Sequence, residues 1–218
     1  MKKILLSFLL LSLPVLLLGC QNASKLEDNI SEITKTYFIA ETQGAKASIS
    51  VGEREEDYVI DGKHTKNVDF SLIAIKFDEL LPNNQITVNF TVNDVVSEVI
   101  LDLNPANHYY MTDLGYPLDE EDNIVIYYNN FALNFKNQSK TFGVDFNQAL
   151  SLAKEELDGK LDDFYNNKNF EGECYLKILT EQEGEDGNLF WVFTVVGRDG
   201  NKNNVVLSVD DGRIIVSD

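Results

Sequence analysis

The residues that could do covalent or metal chemistry are few. Two cysteines, Cys20 and Cys174, and two histidines, His64 and His108, are all the chain has of those types. A helical zinc site needs two histidines one turn apart with a glutamate between them, and the histidines here are 44 residues apart. Neither stands in a pairing context that would make it the base for a Cys174 thiolate, so both read as surface histidines. Cys174 lies in Cys174-Tyr175-Leu176-Lys177-Ile178, a strand-like run in which a thiol serves as a small buried apolar group. There is no Gly-x-Ser-x-Gly elbow and no glycine-rich phosphate loop.

Carboxylates are abundant but unspecific. With 36 acidic residues, a pair spaced for glycoside hydrolysis is expected by chance. Asp199, Asn201, Asn203 and Asp210 fit positions 1, 3, 5 and 12 of a calcium loop, yet Asn204 stands where that loop needs glycine. The segment also reads as strand rather than helix, so it is expected to be a hairpin turn. Asp119-Glu120-Glu121-Asp122 is expected to be a solvated loop. The sequence thus leads to no catalytic residue, no metal site and no cofactor. The most suggestive stretch is aromatic. Asn107 to Pro117 carries His108, Tyr109, Tyr110, Met111 and Tyr116 between two strand runs. Tyr109, Tyr110 and Tyr116 could form a stacking platform for a glycan or peptide; the competing expectation is that these rings close one end of a core.

The start of the chain is an address. Lys2 and Lys3 precede an apolar run from Ile4 to Leu18, closed by Leu17-Leu18-Gly19-Cys20. A basic start, an apolar middle and a small residue before the cut make a secretory signal, and the run is shorter than the roughly 20 apolar residues of a spanning helix. The Leu-Leu-Gly-Cys ending resembles the bacterial lipobox. That resemblance implies cleavage before Cys20 and a diacylglycerol on its sulfur, which anchors stably where one acyl chain binds marginally. The expected location is the extracytoplasmic face of a cell membrane, with residues 1–19 as signal peptide and 20–36 as lipidated cysteine and tether.

From Cys20 onward the chain has 16 basic residues against 36 acidic ones, a formal charge of −20. A nucleic-acid partner needs cations facing phosphates and is excluded on this balance. Anionic lipid is repelled too, which leaves the acyl group as the membrane contact. With Cys20 acylated, Cys174 has no cysteine to pair with.

The elements follow from periodicity. Ile86, Val88, Phe90 and Val92 alternate with Thr87, Asn89 and Thr91; after Asn93-Asp94, Val95, Val99, Leu101 and Leu103 alternate with Glu98 and Asp102. Two such runs about a two-residue Asn/Asp turn predict a hairpin. Phe131, Leu133 and Phe135 repeat the pattern, Asp61-Gly62-Lys63 marks an earlier turn, and Val68 to Phe77 changes parity near Leu72-Ile73, which predicts a bulge or a strand buried on both faces. Residues 37–142 therefore read as an antiparallel β-sandwich. From residue 143 the period becomes helical. Phe146, Ala149, Leu150, Ala153 and Leu157 form one stripe, with Asp145 and Gln148 spaced as a capping box. Strand-like runs follow at Cys174–Thr180, Leu189–Val196, Asn204–Val209 and Arg213–Val216, with a break at Glu183–Gly187. Overall this predicts an α+β protein, the sandwich preceding a helix-plus-antiparallel-sheet domain over 143–218.

That order carries a resemblance. A helix with Ala149-Leu150 and Ala153-Lys154, then Phe190-Trp191-Val192-Phe193, then Asp199-Gly200, then Val206-Leu207-Ser208-Val209-Asp210-Asp211-Gly212-Arg213-Ile214 resembles the PepSY family over the last third of the chain. The closing turn lacks that family's threonine. The resemblance implies no catalytic residues, and an association with exported peptidases. The function expected is a non-enzymatic protein-interaction module that binds or restrains another exported protein, such as a peptidase. The alternative is a surface lipoprotein that binds a glycan, small molecule or cation.

Overall fold

A computed structural model of the chain describes residues 25–57, 59, 64–180 and 188–218. Cys20 and the turns expected at Asp61–Lys63 and Glu183–Gly187 lie outside the described residues. In chain order the strands are β1 (Ile30–Thr42), β2 (Ala45–Glu55), β3 (Asn67–Phe77), β4 (Gln85–Val92), β5 (Val95–Asn104), β6 (Tyr109–Asp113), β7 (Ile124–Tyr128), β8 (Phe131–Asn134) and β9 (Lys136–Asn137). The helix α1 (Phe146–Glu156) follows, then β10 (Tyr165–Asn166), β11 (Asn169–Phe170), β12 (Gly172–Thr180), β13 (Leu189–Gly197), β14 (Lys202–Ser208) and β15 (Ile214–Ser217).

Apart from the small β10–β11 hairpin, these strands form one 13-stranded sheet. Its order is β15-β14-β13-β12-β1-β2-β3-β6-β5-β4-β7-β8, with β9 returning to pair with β1. This overturns the expected α+β division into a sandwich and a helix-plus-sheet domain. The chain is predominantly β, α1 is its one α-helix among the described residues, and strands from both halves share a mixed sheet. The cause is β1. It has 13 residues, enough to serve two neighbours on one edge. Ile30 to Ile33 pair in parallel with Cys174 to Leu176 of β12, whereas Phe38 and Ile39 pair antiparallel with Asn137 and Lys136 of β9. Between the two, the Tyr37 backbone amide donates to Ser139 Oγ at 2.7 Å, and its carbonyl accepts from the Gln138 amide at 2.8 Å. β1 also begins inside the stretch read as tether, since Ile30 to Thr36 are strand.

Because β9 follows β8 directly, the path from β1 through β2, β3, β6, β5, β4, β7 and β8 comes back to its starting strand and closes a ring. Its interior holds Phe38, Ile49, Ile73, Ile75, Val88, Phe90, Leu101, Tyr110, Ile126 and Leu133. A second cluster lies between the other face of β1, the β12–β14 sheet and α1, and holds Ile33, Tyr37, Ala149, Ala153, Leu157, Cys174, Leu176, Trp191, Phe193 and Leu207. Tyr37 and Phe38, adjacent on β1, thus point into different cores, as strand alternation requires.

Local sequence explains much of this. Asn93 and Asp94 both take positive φ (49° and 67°), the two-residue turn whose twist suits a hairpin, and β4 and β5 pair as expected from Gln85↔Asp102 to Val92↔Val95. β3 pairs with β2 without a register break, so its parity change reflects burial on both faces and not a bulge. The bulge sits instead on β1 at Lys35, where the register shifts between Thr34 and Thr36. There β1 and β2 approach so closely that a Cβ on Gly52 would lie 1.9 Å from the Ile33 carbonyl oxygen. The capping box forms: Asp145 Oδ1 accepts from the Gln148 amide at 2.9 Å, and Gln148 Oε1 from the Asp145 amide at 3.0 Å. α1 stops at Glu156, just before Gly159 with φ +78°. Trp191 Nε1 donates to the Val144 carbonyl at 2.9 Å, which fixes the chain entering the helix against the sheet.

Candidate functional site

Cys174, His64 and His108 stand in different parts of the fold. Cys174 is fully buried in the helix-side core; burial, reinforced by the negative charges of Glu27 and Glu173, pushes its thiol well above the ordinary range. A thiol in that state is a poor nucleophile. His64 Nδ1 lies 3.3 Å from Glu55 Oε1, an oxygen that also accepts from the Thr65 amide. The Nδ1 to Glu55 approach lacks hydrogen-bond geometry, and that nitrogen has no hydrogen-bond partner among the described residues. His108 takes φ +61° in the turn from β5 to β6. Asp199 accepts from the Asn201 amide at 3.1 Å, while Asn203 Nδ2 donates to the Lys160 carbonyl at 3.1 Å. The calcium-like spacing is therefore spread over a hairpin turn, β14 and the turn after it, where Asp210 lies. Asp122 is likewise engaged, accepting from Asn93 Nδ2 and the Asp119 amide, each at 2.7 Å.

The three tyrosines do not share one surface. Tyr109 and Tyr110 open β6 and not a loop, so they face opposite sides of the sheet. Tyr110 is in the ring core, its hydroxyl donating to the Asn83 carbonyl, and burial raises its phenol above the usual range. Tyr109 is half-buried on the other face, where Lys76 Nζ sits 5.5 Å from its ring centre. Tyr116 is exposed, and its carbonyl accepts from Ser71 Oγ at 2.8 Å.

Tyr116 lies where the sheet opens. β6 has five residues against ten in β5, and it pairs with β5 only at Asp102, Leu103 and Asn104. Asp113 ends it. Its Oδ1 accepts from the amides of Ser71 at 3.2 Å and Gly115 at 2.9 Å, its Oδ2 accepts from Arg54, and the Leu114 amide donates to the Ser71 carbonyl at 3.0 Å. The chain then turns away through Gly115 (φ +72°). Val95 to Leu101 of β5 are left paired to β4 on one side and, among the described residues, to no backbone on the other. Val95 is 71% exposed, Val96 63% and Ile100 51%. Such an edge is a ready template for another strand.

The far end of the sheet is a second edge. β15 pairs only with β14 and shifts register between Val206 and Leu207. Ile215 and Val216 are exposed there, but the strand has four residues, and Lys160 Nζ holds Ser217 Oγ at 2.7 Å. Two shallow clefts of about 220 and 300 Å³ flank Tyr165. Two ion pairs line them: Glu171 with Arg198 at 3.4 Å, and Glu27 with Lys154.

The open β5 edge was absent from the expectations drawn from sequence. Its signal is there in retrospect, because Val96 and Ile100 are apolar where the alternation of β5 calls for polar residues. Comparison of the chain with protein-family models, with curated proteins and with solved structures finds no match.

Proposed function

We propose that this protein is a lipoprotein held through Cys20 on the extracytoplasmic face of a membrane, and that it works as a non-enzymatic interaction module for another exported protein. The observation that carries this reading is the open edge of β5 with its exposed valines and isoleucine. An extended segment added there gains main-chain hydrogen bonds that need no particular sequence, and side-chain selectivity at alternate positions. The buried state of Cys174 and the hydrogen bonds that occupy Asp122 and Asp199 favour binding over chemistry. The resemblance of Ala149–Lys154 and Phe190–Ile214 to PepSY sequences makes an exported peptidase the first target class to try.

The test uses the full-length protein purified from membranes in detergent and immobilised. Exported proteins from the same cells are passed over it, and the retained species are identified by mass spectrometry. One exported protein held stoichiometrically, and lost with Val96→Asp or Ile100→Asp, supports the reading. Retention no different from a denatured control removes it. Membrane attachment is tested separately: Cys20→Ser is expected to abolish incorporation of labelled fatty acid.

A further inference from the structure

We infer that the open edge of β5 selects an extended segment with a basic residue at its centre and apolar residues two positions to either side; this rests on the interaction reading above and specifies its partner. Along β5, Val96, Glu98 and Ile100 point to the outer face, where β4 sets Thr91, Asn89 and Thr87 opposite them. Glu98 is exposed and is the one ionisable side chain among Val95 to Leu101. A strand laid along this edge puts three outward side chains beside Val96, Glu98 and Ile100, close enough for cross-strand pairs to act.

Charge decides what fits the middle place. A cation opposite Glu98 gains, a carboxylate loses, and the chain's formal charge of −18 adds long-range attraction for a basic segment. The same residue argues against a second copy of this chain. Antiparallel self-pairing centred on the open stretch sets Glu98 against its own copy, and like charges directly opposite are destabilising. Glu98 thus guards an otherwise apolar edge against self-association while marking it for a basic partner. The segment would continue the track that β6 leaves at Asp113. The edge of β15 does not compete, because it is shorter and partly tied by Lys160.

The test measures fluorescence anisotropy of two labelled heptapeptides on the full-length protein in detergent. Both carry threonine at alternate positions and valine at the places facing Val96 and Ile100; one has lysine at the centre, the other glutamate. The lysine peptide is expected to bind about tenfold more tightly, from the opposed sign of a single cross-strand pair. Glu98→Lys is expected to reverse that order, Glu98→Gln to level it, and Ile215→Asp on β15 to leave it unchanged. Equal affinities, or an order that Glu98→Lys does not reverse, overturn the assignment. So does a wild-type dimer in sedimentation that Val96→Asp dissolves. Should neither peptide bind while the capture experiment still retains a protein insensitive to Val96→Asp, the β5 assignment fails and an interaction role remains. Should capture fail as well, both fall together.

Discussion

The ring and the helix-side sheet use one strand, β1, to build two kinds of core. In the ring, side chains from strands fill most of the interior, joined by Leu118 and Phe135 from connecting segments, and every strand from β1 round to β9 contributes hydrogen bonds to a ladder that returns to its origin. In the other half the sheet ends freely at β15, and one face is closed by the short helix α1 through Ala149 and Ala153. The ring shields its core by closure, save along the open edge of β5. The helix-side core relies on a lid of 11 residues, too short to be stable as an isolated helix, so the lid depends on its packing. The halves differ in what could fail first, yet both include β1, and the difference teaches that they should unfold in one transition despite their unlike construction.

The strongest attempt to break that expectation is Trp191→Ala. The ring is fully buried in the helix-side core and bonded to Val144, so the loss is expected at about 4 kcal/mol by urea denaturation. Cys174 is the reporter. Its alkylation rate should rise together with loss of structure in the ring; labelling that runs ahead of ring unfolding would show the halves to be independent. Gly52→Ala comes next, at about 3 kcal/mol, because its methyl would be driven into the Ile33 carbonyl and must part β1 from β2. A common strand requires both halves to weaken under this change.

Asp145→Ala sharpens the comparison on the helix side alone, with about 1 kcal/mol lost through the cap. Smallest is Glu27→Gln, expected to cost at most about 0.5 kcal/mol, since the Glu27–Lys154 pair is solvated at both ends. The side-chain bond from Lys154 holds the Glu27 carboxyl below its ordinary value. Its contribution is therefore present above that ordinary value and lost as pH falls through the lowered one. A wild-type minus Glu27→Gln difference that vanishes in acid is the expected result; one that grows in acid would contradict the assignment.

The hairpin of β4 and β5, the capping box and the last four strands, β12 to β15, were legible because each is specified locally, by alternation, a turn pair or a cap. What joins them was not. The first half of β1 falls within residues 20–36, assigned to the tether; its Ser31, Glu32, Thr34 and Thr36 are polar and all four are buried, Glu32 against Lys177 at 2.8 Å. Burial of polar residues on two faces erases the period on which strand prediction depends, and with it went the parallel β1–β12 pair that makes one sheet of two. The aromatic stretch misled for the opposite reason. Tyr109 and Tyr110 are consecutive on a strand, so neighbours in sequence are separated in space. The open edge arises from a mismatch in length between β5 and β6 that Asp113 imposes through contacts with Ser71 and Arg54, residues too distant in sequence for a periodic pattern to show.

The position of β1 also has a mechanical meaning. It begins ten positions after Cys20, the residue proposed above to carry the lipid, and is hydrogen-bonded on both edges, to β2 on one side and to β12 and then β9 on the other. On the proposed anchoring, a pull from the membrane would enter along the axis of this strand. It must slide β1 past all three neighbours at once, sharing the load among many bonds instead of peeling them singly. With the proposed anchor in place, the strand that joins the two cores would also be the splice that carries tension into the body of the protein.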